Sequence, residues 1–489
     1  VLAGTQLDRL GFTRVAKAIA LPICRALLLL RIARATMGDM PEGPQPAQPA
    51  SPDPNWLAVD DLEFPLPAEA IATAPAEPRE SAKLMVVRRS TGTIVRHTSV
   101  AQLPQLLRAG DLLVLNATRV LQARLEGHRA DTGGAVDGLY LQPARGRRWI
   151  CLLSGKRLKE GTWVDLRTRE GMLAPIRLHL LHRVHEKSGA WLVEPIGAGQ
   201  AGSELLHARD EVVLEAVGHT PLPPYIRAAR KRLNENEESA GDRTRYQTTF
   251  APGAQGDQHL GDASDKVGLL HTGSVAAPTA GLHLTPRLLA EAKAKGVHVA
   301  EVVLHVGLGT FAPVEVTYLQ QHAMHEERCS LSLATREAIL ATRARGGRVL
   351  CVGTTSVRTV ESYAALGAAH SPAAPGADGP RADGSRVDGP VDKQLREACS
   401  NWPGYVDTRL LIAPGFDYRW TDALLTNFHT PRSTLLALVS AFLGSRGAVR
   451  AGDLRSGLAA LKELYAEALV QGYRFFSYGD AMVVGEWEE

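Results

Sequence analysis

Two hydrophobic patterns divide the chain. KLMVVRR (83–89) and TIVRHTSV (93–100) are short apolar-rich runs on either side of Thr91–Gly92, which predicts a β-hairpin. GDLLVLNATRV (110–120) reads as a turn, a buried apolar strand and a polar end. From about Val120 to Val217 the runs stay short. They are punctuated by Gly133–Gly134, Gly155, Gly161, Gly171 and Gly189, and helical periodicity emerges only around 203–216. That spacing predicts a small β-barrel or sandwich.

From His219 onward longer units replace the short ones. VHVAEVVLHV (297–306) is an apolar strand. RVLCVG (348–353) is a second, followed by the helical TTSVRTVESYAAL. DALLTNF (422–428) is a third, followed by TPRSTLLALVSAFLG, and 454–472 is a long amphipathic helix. Strands alternating with helices predict an α/β domain with a mixed, largely parallel sheet flanked by helices. The expected organisation is an α/β domain from 57–119 and 218–489, with a β-barrel domain inserted at 120–217. Charged or low-complexity inserts interrupt the α/β pattern at 228–243, 252–266 and 368–399. The last has no apolar face and reads as a solvated, disordered linker.

Composition narrows the class. The 489 residues carry 55 Lys and Arg against 52 Asp and Glu, a formal charge of +3, so any nucleic acid must be gripped by local patches. The five cysteines are scattered and form no CxxC pair, which fits a reducing cytoplasm and argues against a disulfide framework or thiolate zinc site. An apolar run near the start, AIALPICRALLLLRIA, is interrupted by Pro22 and Arg25. It is too short to span a membrane and lacks a clear signal-peptide cleavage site. Residues 1–56 read as a disordered extension, with Met37 or Met40 as the start of translation. No GxGxxG, P-loop or GxSxG elbow occurs, which argues against a dehydrogenase, a nucleoside triphosphatase and an α/β-hydrolase.

Candidate chemistry concentrates where strands end. GSVAAPTAGLHLTP (273–286) combines small residues, two prolines and His283. Ser274, Ala276, Ala277 and Gly281 allow a close approach of backbone to ligand. Thr285–Pro286 reads as the N-cap and first residue of a helix, a setting suited to a polar or anionic group. In open α/β sheets ligands sit beyond the carboxyl ends of the strands. Those ends carry His305, Gly307, Gly309 and Thr310; Thr354, Thr355, Ser356 and Arg358; Asn427 and His429; and, after the last helix, Ser477, Tyr478 and Asp480. Thr354 or Thr355 is the expected cap of one helix and Thr430 of another. Arg358 carries the wrong sign for a helix N-terminus, which suggests an anionic ligand. In HAMHEE, His322 and His325 would stand one helical turn apart, but no third ligand accompanies them, so no metal is expected.

Several of these stretches resemble one family. GSVAAPTAGLHLTP, LHVGLGTFAPV, MHEE, VGTTSVRTVES, APGFDYRWTDALLTNFHTPRSTLLALVSAF and YRFFSYGDAM are similar to the S-adenosylmethionine:tRNA ribosyltransferase-isomerases of queuosine biosynthesis. So are GDLLVLNATRVLQARL, TPLPPYI and RYQTTF, and the resemblance runs from about 57 to 484. It implies transfer and isomerisation of the ribosyl part of S-adenosylmethionine, as co-substrate, onto 7-aminomethyl-7-deazaguanine at the wobble position of tRNA. Epoxyqueuosine in tRNA, adenine and methionine would be the products. It also implies a cytoplasmic enzyme, monomeric, with tRNA as partner and no membrane or metal.

The resemblance marks His283, His305, His325, Glu327, His429 and Asp480 as candidate proton-transfer groups. It marks Asn116, Arg119, Tyr246, Gln247, Ser274, Thr279, Gly307, Gly309, Thr310, Thr354, Thr355, Ser356, Arg358, Asn427, Ser433, Ser477 and Tyr478 as substrate-binding. Arg358 suits the methionine carboxylate through bidentate bonding. Arg227, Arg230, Lys231, Arg243 and Arg245 form a candidate tRNA patch, with a second basic cluster at Arg145–Lys159 on the barrel. Ala117 departs from the polar Asp or Asn of the family, Gln122 from a proline, Leu284 from Phe and Thr430 from Leu. Two other readings stay open: a tRNA-binding protein without catalysis, and an S-adenosylmethionine-dependent methyltransferase.

Overall fold

The computed structural model describes residues 56–184, 189–252, 272–307, 314–369, 402–444 and 455–488. The expected N-terminal extension, apart from Trp56, and nearly all of the 252–266 and 368–399 inserts lie outside the described residues, as do Gly309 and Thr310.

Nine described strands build one mixed sheet: β1 (Lys83–Arg88), β2 (Thr93–Ser99), β3 (Leu112–Asn116), β12 (His298–Leu304), β13 (Glu327–Leu331), β14 (Val349–Val352), β15 (Val406–Thr408), β16 (Ala423–Asn427) and β17 (Ala481–Gly485). Their order is β15-β13-β12-β3-β14-β16-β17-β1-β2. The centre, β12-β3-β14-β16, is parallel, and β17 and β1 form a further parallel pair. The remaining neighbours are antiparallel. Sequence pattern explains the placement. LLVLN, VLCV, ALLTN and AMVVG are buried at every position, as strands covered on both faces must be.

Period-two alternation then sorts their side chains. Leu112, Val114, Cys351, Leu424 and Met482 face one core, and Leu113, Leu115, Leu350, Leu425 and Val483 face another. Eight described α-helices and the short helices α1 (Leu103–Leu106) and α5 (Asp242–Arg245) accompany the strands. They are α2 (Gly199–Leu205), α3 (Asp210–Val217), α4 (Pro224–Arg232), α6 (Pro286–Ala294), α7 (Leu333–Ala344), α8 (Thr354–Ala369), α9 (Thr434–Gly444) and α10 (Ser456–Val470). Helices α7 to α10 pack on the first core; α1 and α6 supply Leu103, Leu288 and Ala292 to the second. Each fully buried Leu or Val contributes on the order of 1.5–3 kcal/mol.

The short-strand region closes into an antiparallel barrel, β10-β7-β6-β5-β8-β9. Its strands are β5 (Arg124–Arg129), β6 (Ala135–Ala144), β7 (Arg148–Gly155), β8 (Trp163–Arg167), β9 (Leu173–Arg183) and β10 (Ala190–Gly197). Trp149, Trp191, Leu178 and Val193 fill it. The chain leaves and re-enters the α/β sheet at one point. Arg124 and His219 exchange two backbone hydrogen bonds of 3.2 and 2.8 Å. A Cβ on Gly218 would stand 1.8 Å from the Gln122 carbonyl oxygen, so that crossing requires glycine. Beside it β4 (Arg119–Val120) pairs in parallel with β11 (Thr272–Ser274).

Three local expectations change. Residues 228–243 do not interrupt the fold: α4 runs through Arg232, and α5 is tied back to it by Arg230 and Asp242 at 2.5 and 2.9 Å. Arg230 and Asp242 satisfy one another out of reach of water, while Lys231, Arg232 and Glu235 stay exposed. HAMHEE is not helical; a 3-10 turn ends at Gln321 and the next regular element is β13, so His322 and His325 do not share a helix face. The helix after β16 starts at Thr434 and is capped by Ser433, whose Oγ accepts from the Leu436 N–H at 3.2 Å, not by Thr430. By contrast, Thr285 caps α6 as expected, accepting from Leu288 N–H with Pro286 in the first turn.

Candidate active site

A cleft opens beyond the carboxyl ends of β14 and β16, where an open sheet places ligands. Three segments wall it. The 277–280 loop contributes Ala277, Pro278 and Thr279. The turn from β14 into α8 contributes Gly353, Thr354 and Thr355. The 426–430 segment contributes Thr426, Asn427, Phe428 and His429. Tyr225, Val306, Leu435, Phe476 and Ser477 complete it. Among the described residues no ionised side chain lines this cleft. Its polar groups are hydroxyls, one carboxamide and one imidazole.

The turn into α8 depends on Gly353, whose φ of 87° lies in the left-handed region. Thr354 and Thr355 are therefore the first residues of the helix, not caps preceding it. Unpaired N–H groups of that first turn face the cleft end of a helix dipole. The Thr355 hydroxyl is buried with no hydrogen-bond partner, and the residue is 8% exposed. A buried hydroxyl left unpaired costs about 1–3 kcal/mol, which a ligand oxygen or nitrogen can recover. Thr355→Val is therefore expected to raise the KM of the small-molecule substrate about three- to tenfold, since a neutral hydrogen bond is worth about 0.5–1.5 kcal/mol. An unchanged KM in steady-state assays would remove Thr355 from the contacts.

Asn427 is the hub of a polar chain behind the wall. Its Oδ1 accepts from the Thr279 hydroxyl at 2.9 Å. Its Nδ2 donates to His283 Nε2 at 3.2 Å and to the Asp480 carbonyl at 3.4 Å. His283 thus sits one residue behind the cleft with its Nε2 lone pair already used, and burial pushes its pKa down to about 4. His429 is on the cleft wall itself. Burial pushes it down to about 4 as well, and its Nε2 lies 2.7 Å from the Thr426 hydroxyl. It therefore stays neutral near pH 7, because the charged form is disfavoured there.

Tyr225 is a cleft residue that sequence reasoning missed. Its hydroxyl lies 2.5 Å from Ser477 Oγ, and burial pushes its pKa up to about 12. The only available signal was its place in TPLPPYI, where the aromatic follows two prolines that start α4.

Other predicted residues brace the site. Ser274 Oγ donates to the Ala276 carbonyl and accepts from Val306 N–H. Asn116 links β3 to β12 through both the N–H and the carbonyl of Leu304. Ala117, the departure from the family pattern, is fully buried and joins the same pair of strands through Val302. Gln247 clamps Val120 by its N–H and carbonyl, at 3.2 and 3.3 Å. Ser356 bonds back to the Val352 carbonyl. Asp480 accepts from the backbone N–H groups of Lys83 and Arg474. The Tyr478 hydroxyl donates to Asp242 at 3.0 Å, and Tyr246 is buried against the Tyr478 ring.

Arg358 meets an anion, but within the protein: it is ion-paired with Glu327 and donates to the Leu410 carbonyl. Glu327 also accepts from Gly307 N–H at 3.1 Å, which holds the end of β12 beside the cleft. His305 pairs with the Thr118 hydroxyl at 3.2 Å and stacks on Tyr405, and His325 is exposed on the 322–326 loop. Arg119 is half-buried on β4, and burial lowers its pKa.

The expected tRNA patch is partly neutralised. Arg230 is buried in its pair with Asp242. Arg227 meets Asp137 and Glu237, Arg243 meets Glu215, and Arg245 meets Glu77. Lys231 and Arg232 stand exposed on the last turn of α4.

Comparison with known proteins places these features in one family. The model of the queuosine biosynthesis protein family matches residues 59–484. A protein of Heliobacterium modesticaldum is 38% identical over 424 residues, covering 86% of this chain and 98% of its own. One of Gloeobacter violaceus is 39% identical over 427 residues, covering 87% and 95%. One of Moorella thermoacetica is 35% identical over 434 residues, covering 88% and 100%. All three are named S-adenosylmethionine:tRNA ribosyltransferase-isomerase. A solved S-adenosylmethionine tRNA ribosyltransferase of Thermotoga maritima is 27% identical, with a TM-score of 0.39 over 87% of this chain and 99% of that one. With the family model matching residues 59–484 and relatives at 35–39% identity aligned over 95% or more of their own length, the chain belongs to the queuosine biosynthesis protein family.

Proposed function

We propose that the cleft binds S-adenosylmethionine and that the protein is an S-adenosylmethionine:tRNA ribosyltransferase-isomerase. It transfers and isomerises the ribosyl moiety onto 7-aminomethyl-7-deazaguanine at the wobble position of tRNA, releasing adenine and methionine. The observation that carries this reading is the uncharged, hydroxyl-rich cleft at the β14 and β16 ends, with a partnerless Thr355 hydroxyl at a helix N-terminus. Thr279, Thr354, Thr355, Asn427 and Ser477 suit a ribose diol and a nucleobase edge. The first turn of α8 suits the methionine carboxylate.

The chemistry needs a base that is neutral at working pH. The sulfonium acidifies the C5′ protons, one of which must be removed. Adenine then leaves, the base amine attacks the ribosyl carbon, and an epoxide closes as methionine departs. His429 is the one imidazole among the described residues that lines the cleft, and on that position we assign it the proton transfer; a positioned base contributes about 10²–10⁴-fold. His283 acts through Asn427, holding its carboxamide in one orientation. No described group of three or more His, Cys, Asp or Glu side chains is arranged to hold a metal, and no described helix is long and apolar enough to cross a membrane.

The decisive experiment is to incubate the protein with S-adenosylmethionine and precursor-bearing tRNA and identify the small products. Free adenine and methionine are expected. S-adenosylhomocysteine would instead establish a methyltransferase, and tRNA binding with S-adenosylmethionine unconsumed would establish a binding protein.

A further inference from the structure

We propose that a second cavity, on the outer face of the barrel, seats an unpaired RNA base next to the one being modified. The inference rests on the ribosyl-transfer reading above and names a further subsite for the same RNA. Alternation along β7 creates its floor. Trp149, Cys151 and Leu153 fill the barrel, which leaves Leu152 and Ser154 on the outside. Pro221–Pro224 form the facing wall, and Val275 closes one side.

Position is the first argument. The cavity and the cleft share their partitions. Pro224 lines the cavity and Tyr225 the cleft; Val275 lines the cavity and Ala277 the cleft. The two sites therefore lie on either side of the 224–225 and 275–277 segments, close enough for neighbouring residues of one RNA strand to reach both. Sequence-selective proteins take loop bases in this way, unstacked and held singly.

Lining chemistry is the second. Leucine and proline walls accept the faces of a base, and base faces are sequence-tolerant. At one end Arg124 and Arg227 stand over Asp137, which accepts from Arg124 Nε at 3.1 Å and from Arg227 Nη1 at 3.2 Å. Arg227 Nη1 is used by Asp137 and Glu237, yet its Nε is buried without a partner. A base carbonyl or ring nitrogen supplies the missing acceptor. Charge is the third argument: α4, which carries Arg227, ends in exposed Lys231 and Arg232, which suits the phosphates of a polyanion and not an uncharged apolar peptide.

The test uses an anticodon stem-loop carrying 2-aminopurine immediately before or after the target base. Emission is expected to rise at one of the two positions when wild-type protein binds, as the probe leaves the RNA stack. The rise should vanish in Leu152→Trp and Ser154→Trp, which fill the cavity from outside the barrel core, and RNA affinity should fall about tenfold. Ser154 is exposed at the end of its strand, so that variant keeps the barrel folded even if Leu152→Trp does not; thermal melts check both. An abasic residue at the responsive position should lower kcat/KM for adenine release at least tenfold in wild type and cause little further loss in the filled variants.

Silence of the probe at both positions in wild type, or an equal response in the folded variants, overturns the proposal. Unchanged RNA affinity in both folded variants overturns it too. Adenine release without any probe response sinks the base seat alone. A probe response without adenine release sinks the catalytic reading and leaves the seat standing.

Discussion

Replacing Arg358 by methionine is expected to destabilise the protein by about 3–5 kcal/mol, the cost of leaving a buried carboxylate without its counter-ion. The two side chains are only 6% and 3% exposed, so solvent cannot take over the role of either partner. Glu327 would keep its bond from Gly307 N–H, but a backbone amide does not neutralise a charge. The double variant Arg358→Met/Glu327→Met should recover much of the loss, because two apolar side chains of similar volume carry no desolvation penalty. Thermal melts of wild type, single and double variants check the order. A single variant as stable as wild type would mean that the pair is not the brace described above, and Arg358 would return to the substrate contacts. The consequence reaches the site, since Val306, beside Gly307, lines the cleft.

Acid is the second large lever. His283 and His429 are both lowered from 6.5 to about 4 by burial. Above pH 6.5 they are neutral folded or unfolded, and their effect on stability is nil. Between pH 6.5 and 4 the unfolded chain binds protons that the folded protein refuses, so stability falls as pH falls. Below about pH 4 the loss is complete, at about 3 kcal/mol per histidine from 1.36 kcal/mol per pKa unit. Stability measured from pH 7 to 4 should therefore drop steeply, and His429→Gln should flatten the drop by about that amount. If both single glutamine variants lose stability with falling pH as steeply as wild type, the histidines are not its source. The same burial keeps both imidazoles uncharged at neutral pH, which suits the proposed binding of a cationic sulfonium.

Much of this architecture is written in local pattern. Alternation and continuous apolar runs identify the strands at 83–88, 112–116, 349–352 and 423–427, because each strand's burial depends on its own residues meeting one or two faces. The glycine-spaced run from 120 marks the barrel for the same reason. Thr285–Pro286 marks its helix start because a cap is made within four residues.

Partnership across the fold is another matter. Nothing local says that Arg358 will meet Glu327, 31 positions away. Nor does anything local put Asn427 between Thr279 and His283, turn Asp480 toward backbone N–H groups, or pair Arg230 with Asp242 under the Tyr478 hydroxyl. Tyr225 was overlooked because an aromatic after prolines reads as core until the partner of its hydroxyl is known.

The sequence by itself determined the hairpin, the central strands at 112–116, 298–304, 349–352 and 423–427, and that small and hydroxyl-bearing residues gather at their ends. Short-range backbone preferences and hydrophobic periodicity suffice for that. It left the strands at 327–331, 406–408 and 481–485 unmarked. Only the tertiary structure decided which of those groups face the cleft and which are spent on holding it, because the strand order β3-β14-β16 brings together side chains more than 100 residues apart, and a polar group's role is set by whether its partner is protein or ligand.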